Sequence, residues 1–82
     1  MSSRLKRLSA REVLRALGTF GFEVVATRGS HAKLRRVHPD GRTDILTVPT
    51  HRSLDLGTLR AIYRQAARFI LEDDLRRFFW SE

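Results

Sequence analysis

The segment FEVVATRGSHAKLRRVHPDGRTDILTVP, residues 22–49, determines the fold. Its first part, 22–28, is rich in β-branched and aromatic residues, which predicts a β-strand. Gly29 and Ser30 interrupt that pattern. Residues 31–37 then alternate between apolar and polar side chains, as a strand with one buried face does. The segment therefore begins with two strands joined by a short turn.

A second turn and a third strand complete the segment. Residues 38–42, His-Pro-Asp-Gly-Arg, predict a turn, because proline presets φ and glycine accepts a positive φ. Residues 43–48 predict a strand that ends at Pro49, which has no N–H to donate to a neighbouring strand. Two short links between three strands predict an antiparallel three-stranded sheet.

A helix precedes this sheet. Ser9 and Glu12 have the spacing of a capping box, in which each side chain accepts a hydrogen bond from the other residue's backbone N–H. The sequence therefore predicts a helix from about Ala10 to Thr19, ended by a glycine at position 18 or 21.

Further helices follow the sheet. Ser53 or Asp55 is expected to cap a long helix that lays one face on the sheet. Its apolar residues recur at helical spacing: Leu56, Leu59, Ile62, Ala66 and Phe69. A short final helix is predicted because acidic residues at 72–74 are followed by Arg76 and Arg77, which suits the helix dipole. The predicted fold class is α+β, in the order α-β-β-β-α with a further short α, and with the helices on one face of the sheet.

The length of 82 residues predicts one domain, spanning 1–82. It would carry a basic N-terminal segment over 1–8 and a short C-terminal helix and tail over 71–82. The chain has no cysteine, which excludes disulfides and thiolate zinc sites. No apolar run reaches the roughly 18–20 residues that span a bilayer, and the basic N-terminus lacks the apolar region of a secretory signal. We expect a cytoplasmic protein with no membrane contact.

The charge distribution suggests a polyanionic partner. Sixteen Lys and Arg residues against nine Asp and Glu residues give a formal net charge of +7. Residues 1–54 contain eleven basic and four acidic residues, whereas residues 55–82 contain five of each. RNA or DNA would be attracted to such a surface. The alternative is a solvated basic face with no specific ligand.

One of the three histidines lies among residues suited to phosphate chemistry. His31, Lys33 and Arg35 project from the same face of the second strand, whereas Arg36 points the other way and is expected to contribute less to RNA binding. An imidazole can transfer a proton near neutral pH, and neighbouring cations would hold a phosphate beside it. That combination suits RNA cleavage, in which a base deprotonates the 2′-hydroxyl. The alternative is a structural histidine on an edge strand that hydrogen-bonds a loop.

The other histidines give weaker indications. His38 lies in the predicted turn, where we expect it to be solvated. No pair of histidines has the spacing of a metal-binding motif, so neither a metal nor another cofactor is expected.

Three short motifs in register resemble one protein family. They are Gly29-Ser30-His31-x-Lys33, Val48-Pro49-Thr50-His51 and Gly57-Thr58-Leu59-Arg60-x-Ile62. With Gly21-Phe22 after the first helix, they make the chain similar to the HicA toxins from about Ser9 to Phe69.

The resemblance implies a ribonuclease with the α-β-β-β-α fold of double-stranded RNA-binding domains. It implies that the toxin cleaves mRNA with a single catalytic histidine, matched here by His31, and that a HicB-type antitoxin covers this site. The residues expected to bind RNA are Arg28, Gly29, Ser30, Lys33 and Arg35. His51 and Thr58 are possible secondary site residues, although His51 in a loop is equally compatible with capping the second helix.

Two other functions are compatible with parts of the sequence. A non-catalytic RNA-binding module of the same fold would place a lysine cluster at the start of the last long helix, where residues 53–58 contain none. A DNA-binding helix-turn-helix would place the acidic residues 72–74 against DNA, which is unfavourable. The aromatic tail 78–80 lies beyond the matched region, and either closes the core or contacts a partner.

Overall fold

A computed structural model describes residues 4–81 of the chain. It contains eight elements in the order β1 (Arg4–Leu5), α1 (Ala10–Thr19), β2 (Glu23–Arg28), β3 (His31–Val37), β4 (Thr43–Pro49), α2 (Leu56–Ala66), α3 (Glu72–Phe79) and β5 (Trp80–Ser81). The predicted α+β class and the α-β-β-β-α order, as in double-stranded RNA-binding domains, are confirmed. None of the helices within 4–81 is long and apolar enough to cross a membrane.

The central sheet has the strand order β2-β3-β4, and both pairs are antiparallel. In β3 and β4, alternate residues face the helices and are buried: Ala32, Leu34, Leu46 and Val48. The intervening residues of both strands lie on the opposite face, which we call the outer face. The helices therefore cover one side of the sheet and leave the outer face open to solvent.

Strand β2 differs from its neighbours because all six of its residues are exposed. Its pairing with β3 shifts register between Val24 and Ala26, as at a β-bulge. At this edge the sheet therefore extends beyond the core.

Helix α1 begins and ends as its sequence predicts. The Glu12 N–H donates to Ser9 Oγ at 3.1 Å, and the Ser9 N–H donates to Glu12 Oε1 at 3.0 Å, which completes the capping box. Gly21 follows the helix with φ of 91°, a conformation that glycine adopts without strain. The apolar face of α1 supplies fully buried Val13 and Leu17 to the core.

Helix α2 is capped by Asp55, one of the two predicted residues, and ends at Ala66. The apolar stripe suggested a helix that continues to Phe69, but the chain turns at residues 67–70. Phe69 is nevertheless packed against the core, with its ring centroid 6.4 Å from that of Phe22. The apolar spacing identified a core residue correctly while overextending the helix.

The C-terminal aromatics belong to the core. Phe79 is fully buried, and its ring makes an edge contact with Tyr63 at a centroid distance of 5.6 Å. Phe78 is partly buried and makes an edge contact with Phe20 at 5.4 Å. Trp80 also packs against the core and belongs to β5. Of the two alternatives for the tail, the structure favours closure of the core.

Two side chains on the inner side of the sheet have structural partners that the sequence did not predict. Arg36 points away from the outer face, as predicted, and its guanidinium donates to Asp44 Oδ2 at 2.7 Å and to the Phe69 carbonyl at 2.8 Å. His38 is not simply solvated, since its Nε2 lies 2.7 Å from the same Asp44 oxygen. Asp44 lies eight residues after Arg36 and six after His38 in the sequence. It brings both side chains into one polar cluster across the β3–β4 hairpin.

Candidate functional site

His31 is the first residue of β3 and follows directly on the turn from β2. Gly29 in that turn has φ of 53°, in the left-handed region that favours glycine. The Thr50 N–H donates to the Ser30 carbonyl at 2.7 Å, which ties the turn to the chain leaving β4. In the sheet, His31 pairs with Arg28 on one side and Pro49 on the other. The histidine is thus exposed on a fixed backbone.

Basic side chains surround His31 on the outer face. Lys33 and Arg35 follow it at alternate positions of β3, and both are exposed, as predicted. Arg28 lies beside it on β2. Together with Ala26 and Thr47, three of these residues line a groove of about 440 Å³, which we call the sheet groove: Arg28, His31 and Lys33. The sheet groove therefore combines one imidazole with two cations.

A second groove, of about 500 Å³, runs from His31 and Pro49 to the start of α2. We call it the helix groove. Asp55, Gly57 and Thr58 contribute to its wall at the first turn of the helix. His31 lines both grooves and so lies where they meet.

The helix groove brings Thr58 to the same cavity as His31, although the two are far apart in sequence. Asp55 lies there as well, and its Oδ1 accepts the Thr58 N–H at 2.7 Å. The hydrogen bonds from Thr58 hold the pKa of Asp55 below its ordinary value, so the group is a carboxylate at neutral pH. From the sequence, Asp55 was expected only to cap α2, because nothing in the spacing of residues shows that the loop after β4 folds back to β3.

Other predicted residues are placed less centrally. Ser30 Oγ lies 3.5 Å from His31 Nδ1, at the outer limit of a hydrogen bond. His51 is exposed in the loop after β4 and is absent from the walls of both grooves as the described residues form them. Within 4–81, no group of three or more His, Cys, Asp or Glu side chains is arranged to hold a metal ion.

Gln65 forms the end of the helix groove and also hydrogen-bonds to the backbone at the edge of the sheet. Its Oε1 accepts the Thr47 N–H and its Nε2 donates to the Thr47 carbonyl, both at 3.3 Å. These two hydrogen bonds engage backbone groups on the free edge of β4, which would otherwise be available to another strand. Helix α2 is thereby held against β4 beside His31.

The region around both grooves matches a known protein family. A family model described as HicA toxin of bacterial toxin-antitoxin matches residues 10–67, more than half of the chain. The matched region runs from α1 through α2 and includes the walls of both grooves, whereas β1, α3 and β5 lie outside it. The comparisons with curated proteins and with solved structures gave no match.

Proposed function

The chain belongs to the HicA toxin family and is thus a toxin of a bacterial toxin–antitoxin pair, and from this premise we propose that it is an endoribonuclease that cleaves mRNA. The observation that carries the proposal is the position of His31. It is exposed where two grooves meet, with Arg28 and Lys33 beside it. Neither of these two cations forms an ion pair with a carboxylate of residues 4–81. An imidazole and free cations on one surface suit an attack within a phosphodiester.

In the proposed reaction, His31 accepts the proton of a ribose 2′-hydroxyl. The 2′-oxygen then forms a bond to the adjacent phosphorus, and the bond from phosphorus to the 5′-oxygen breaks. The 5′-oxygen takes up a proton from water or from a second side chain, and His31 later releases its proton to water, so the products are a 2′,3′-cyclic phosphate and a free 5′-hydroxyl. Arg28 and Lys33 stabilise the negative charge that develops on the phosphoryl oxygens. The reaction requires no metal or organic cofactor.

Substrate binding is assigned to the residues around His31. Arg35 extends the cationic row along β3. The turn residues Gly29 and Ser30 lie next to the imidazole, with Ser30 Oγ 3.5 Å from His31 Nδ1. For the second proton-transfer step, Thr58 shares the helix groove with His31, and His51 is the other residue that the family motif suggests. RNA in the cytoplasm would be the substrate.

We also propose that a HicB-type antitoxin inhibits the enzyme by covering His31. A partner with an acidic surface would be steered to the cationic outer face and would associate rapidly. Covering the row of His31, Lys33 and Arg35 would then exclude RNA by competition.

The test of catalysis is the His31→Ala variant. Purified variant is expected to lose RNA cleavage, while its melting temperature remains close to that of the parent, because an exposed side chain changes stability by roughly 0.5 kcal/mol or less. Parent protein should cleave in EDTA, and a substrate with 2′-deoxyribose throughout should resist. Undiminished cleavage by the variant would exclude this mechanism, and an unfolded variant would favour a structural histidine instead.

The test of inhibition uses the product of the neighbouring gene. We expect a stoichiometric complex that no longer cleaves RNA, and weaker association at high salt. Lys33→Ala together with Arg35→Ala should reduce the association rate, with Arg11→Ala and Arg64→Ala as a control of equal charge. Full RNA cleavage by the complex would contradict inhibition at the active site.

A further inference from the structure

A third groove, distinct from those at His31, lies where β1 and β5 meet at the two ends of the described range. It has a volume of about 540 Å³ and is formed by β1 and the residues after it, the start of α2, and β5. We call it the terminal groove. Four basic residues line it: Arg4, Lys6, Arg7 and Arg60. Trp80 adds an aromatic ring, and no acidic residue of the described range 4–81 lies in the lining.

Pairing of the chain ends builds the terminal groove. Strands β1 and β5 are antiparallel, with Arg4 opposite Ser81 and Leu5 opposite Trp80. The Lys6 N–H donates to the Phe79 carbonyl at 2.7 Å, which continues this contact by one residue. These bonds fix the backbone of residues 4–6 beside α2.

The positive charge of the terminal groove is only partly offset within residues 4–81, where Lys6 lies near enough to Glu12 to help lower the pKa of that carboxyl. None of its four cations forms an ion pair with a carboxylate of residues 4–81. A neighbouring groove between α1 and α3 also contains cations, but Glu12 lies in its wall. Like charges gathered without a carboxylate in the wall repel one another, and a bound anion relieves that repulsion.

The terminal groove and the helix groove lie on either side of the first turn of α2. Leu56 and Arg60 line the terminal groove, while Gly57, Thr58 and Ala61 line the helix groove. A single nucleic-acid strand that crosses this turn would therefore contact both grooves. Successive phosphates would meet cations on one side and His31 on the other.

We propose that the terminal groove binds the phosphate backbone of the RNA strand whose scissile bond lies at His31. RNA fits the terminal groove better than an acidic protein segment does, because each nucleotide carries one negative charge and the strand can continue into the helix groove. The ring of Trp80 also lies in the wall, but the Arg76 guanidinium lies over this ring at 5.1 Å from its centroid. The cations, and not base stacking, therefore carry the proposal. The proposal rests on the ribonuclease function proposed above. It goes beyond the family match, because three of the four cations lie outside the residues that the family model matches.

The test measures RNA binding separately from cleavage. A series of 2′-O-methyl RNA oligonucleotides of increasing length, which cannot undergo attack by the 2′-hydroxyl, is titrated with full-length protein over a range of salt concentrations. The groove variant is Arg7→Gln with Arg60→Gln. The control is Arg11→Gln with Arg64→Gln, which removes the same charge from exposed positions outside all three grooves.

The groove variant should bind short oligonucleotides like the parent and bind long ones more weakly than the parent does. For the long ones, the slope of log affinity against log salt should fall by roughly 0.7 for each phosphate that the variant no longer neutralises. The control variant should keep the parental slope. Melting curves establish that each variant is folded, and Arg60→Gln alone provides a second variant on an exposed helix position.

Equal slopes for the groove variant and the parent would overturn the proposal, as would an effect that is independent of oligonucleotide length. Unchanged RNA affinity with weakened binding of the antitoxin would also overturn it, by assigning the groove to a protein partner. If the parent cleaves RNA while the groove variant binds like the parent, only the groove proposal fails. If the parent neither binds nor cleaves RNA, the ribonuclease function fails as well.

Discussion

Two adjacent arginines of β3 differ in role because successive side chains of a strand point to opposite faces. Arg35 is exposed on the outer face. Arg36 lies on the inner face, where its guanidinium contacts Asp44 and two backbone carbonyls and stacks over the Phe22 ring at 4.8 Å. One of these carbonyls belongs to Phe20, at the end of α1. Arg36 therefore joins the ends of two helical segments to the hairpin.

Replacing these two arginines singly should separate folding from RNA binding. Arg36→Ala leaves Asp44, whose side chain is 12% exposed, without its strongest partner, and leaves two carbonyls without a donor. We expect the free energy of unfolding to fall by about 2–3 kcal/mol, measured by urea denaturation. Arg35→Ala should change stability by less than roughly 0.5 kcal/mol and weaken RNA binding. Equal stability of the two variants would contradict the structural role of Arg36.

The predictability of single residues depended on how far away their partners lie. Alternation along β3 was enough to place His31, Lys33 and Arg35 on one exposed face. It also placed Arg36 on the other face, but its partners are separated from it by as many as 33 residues, so nothing local showed them. Only the family resemblance suggested that Thr58 belongs to the site of His31, because the approach of the two residues depends on the path of an irregular loop.

At the scale of elements, the helix starts were predictable because a cap is a local chemical pattern. The Ser9–Glu12 box and the Asp55 cap both satisfy N–H groups within three residues. Strands β1 and β5 were not predicted, since two residues are too few to show alternation. Their pairing depends on the packed core, which places residues 4–5 beside residues 80–81.

The Asp55 cap makes stability sensitive to acid. Hydrogen bonds from Thr58 lower the pKa of Asp55 in the folded chain, so the folded state binds this proton less readily than the unfolded state does. Its stabilising effect is therefore complete above the ordinary carboxyl pKa. It is lost as the pH falls below about 4.

The corresponding experiment compares melting temperatures between pH 7 and pH 3. Asn also caps helices but does not ionise, so Asp55→Asn should keep the melting temperature at pH 7 and show a shallower decline in acid. Asp55→Ala should lower the melting temperature at pH 7 by roughly 4–8 °C. Glu12 and Asp44 also have lowered pKa values and preserve part of the acid dependence. A decline in Asp55→Asn as steep as that of the parent would contradict this account.

At the scale of the whole molecule, apolar side chains form one core and charged side chains line the surface grooves. A domain of this size has a thin core, so each helix must contribute large side chains to it. Helix α3 lies outside the region matched by the family model, yet it supplies fully buried Leu75 and Phe79. The C-terminal segment is accordingly part of the fold, and it also carries the strand that positions the N-terminal cations.

The Phe79→Ala variant tests this integration. Phe79 is fully buried against Tyr63, and removal of a buried phenyl ring leaves a cavity that costs about 3–5 kcal/mol. Because small domains are stable by only about 5–15 kcal/mol, the variant should be marginally folded, with a large shift of its urea midpoint. Leu71→Ala, at a position 76% exposed just before α3, should leave the midpoint unchanged within roughly 0.5 kcal/mol. A Phe79→Ala midpoint equal to that of the parent would mean that the tail lies outside the core and is free to contact a partner.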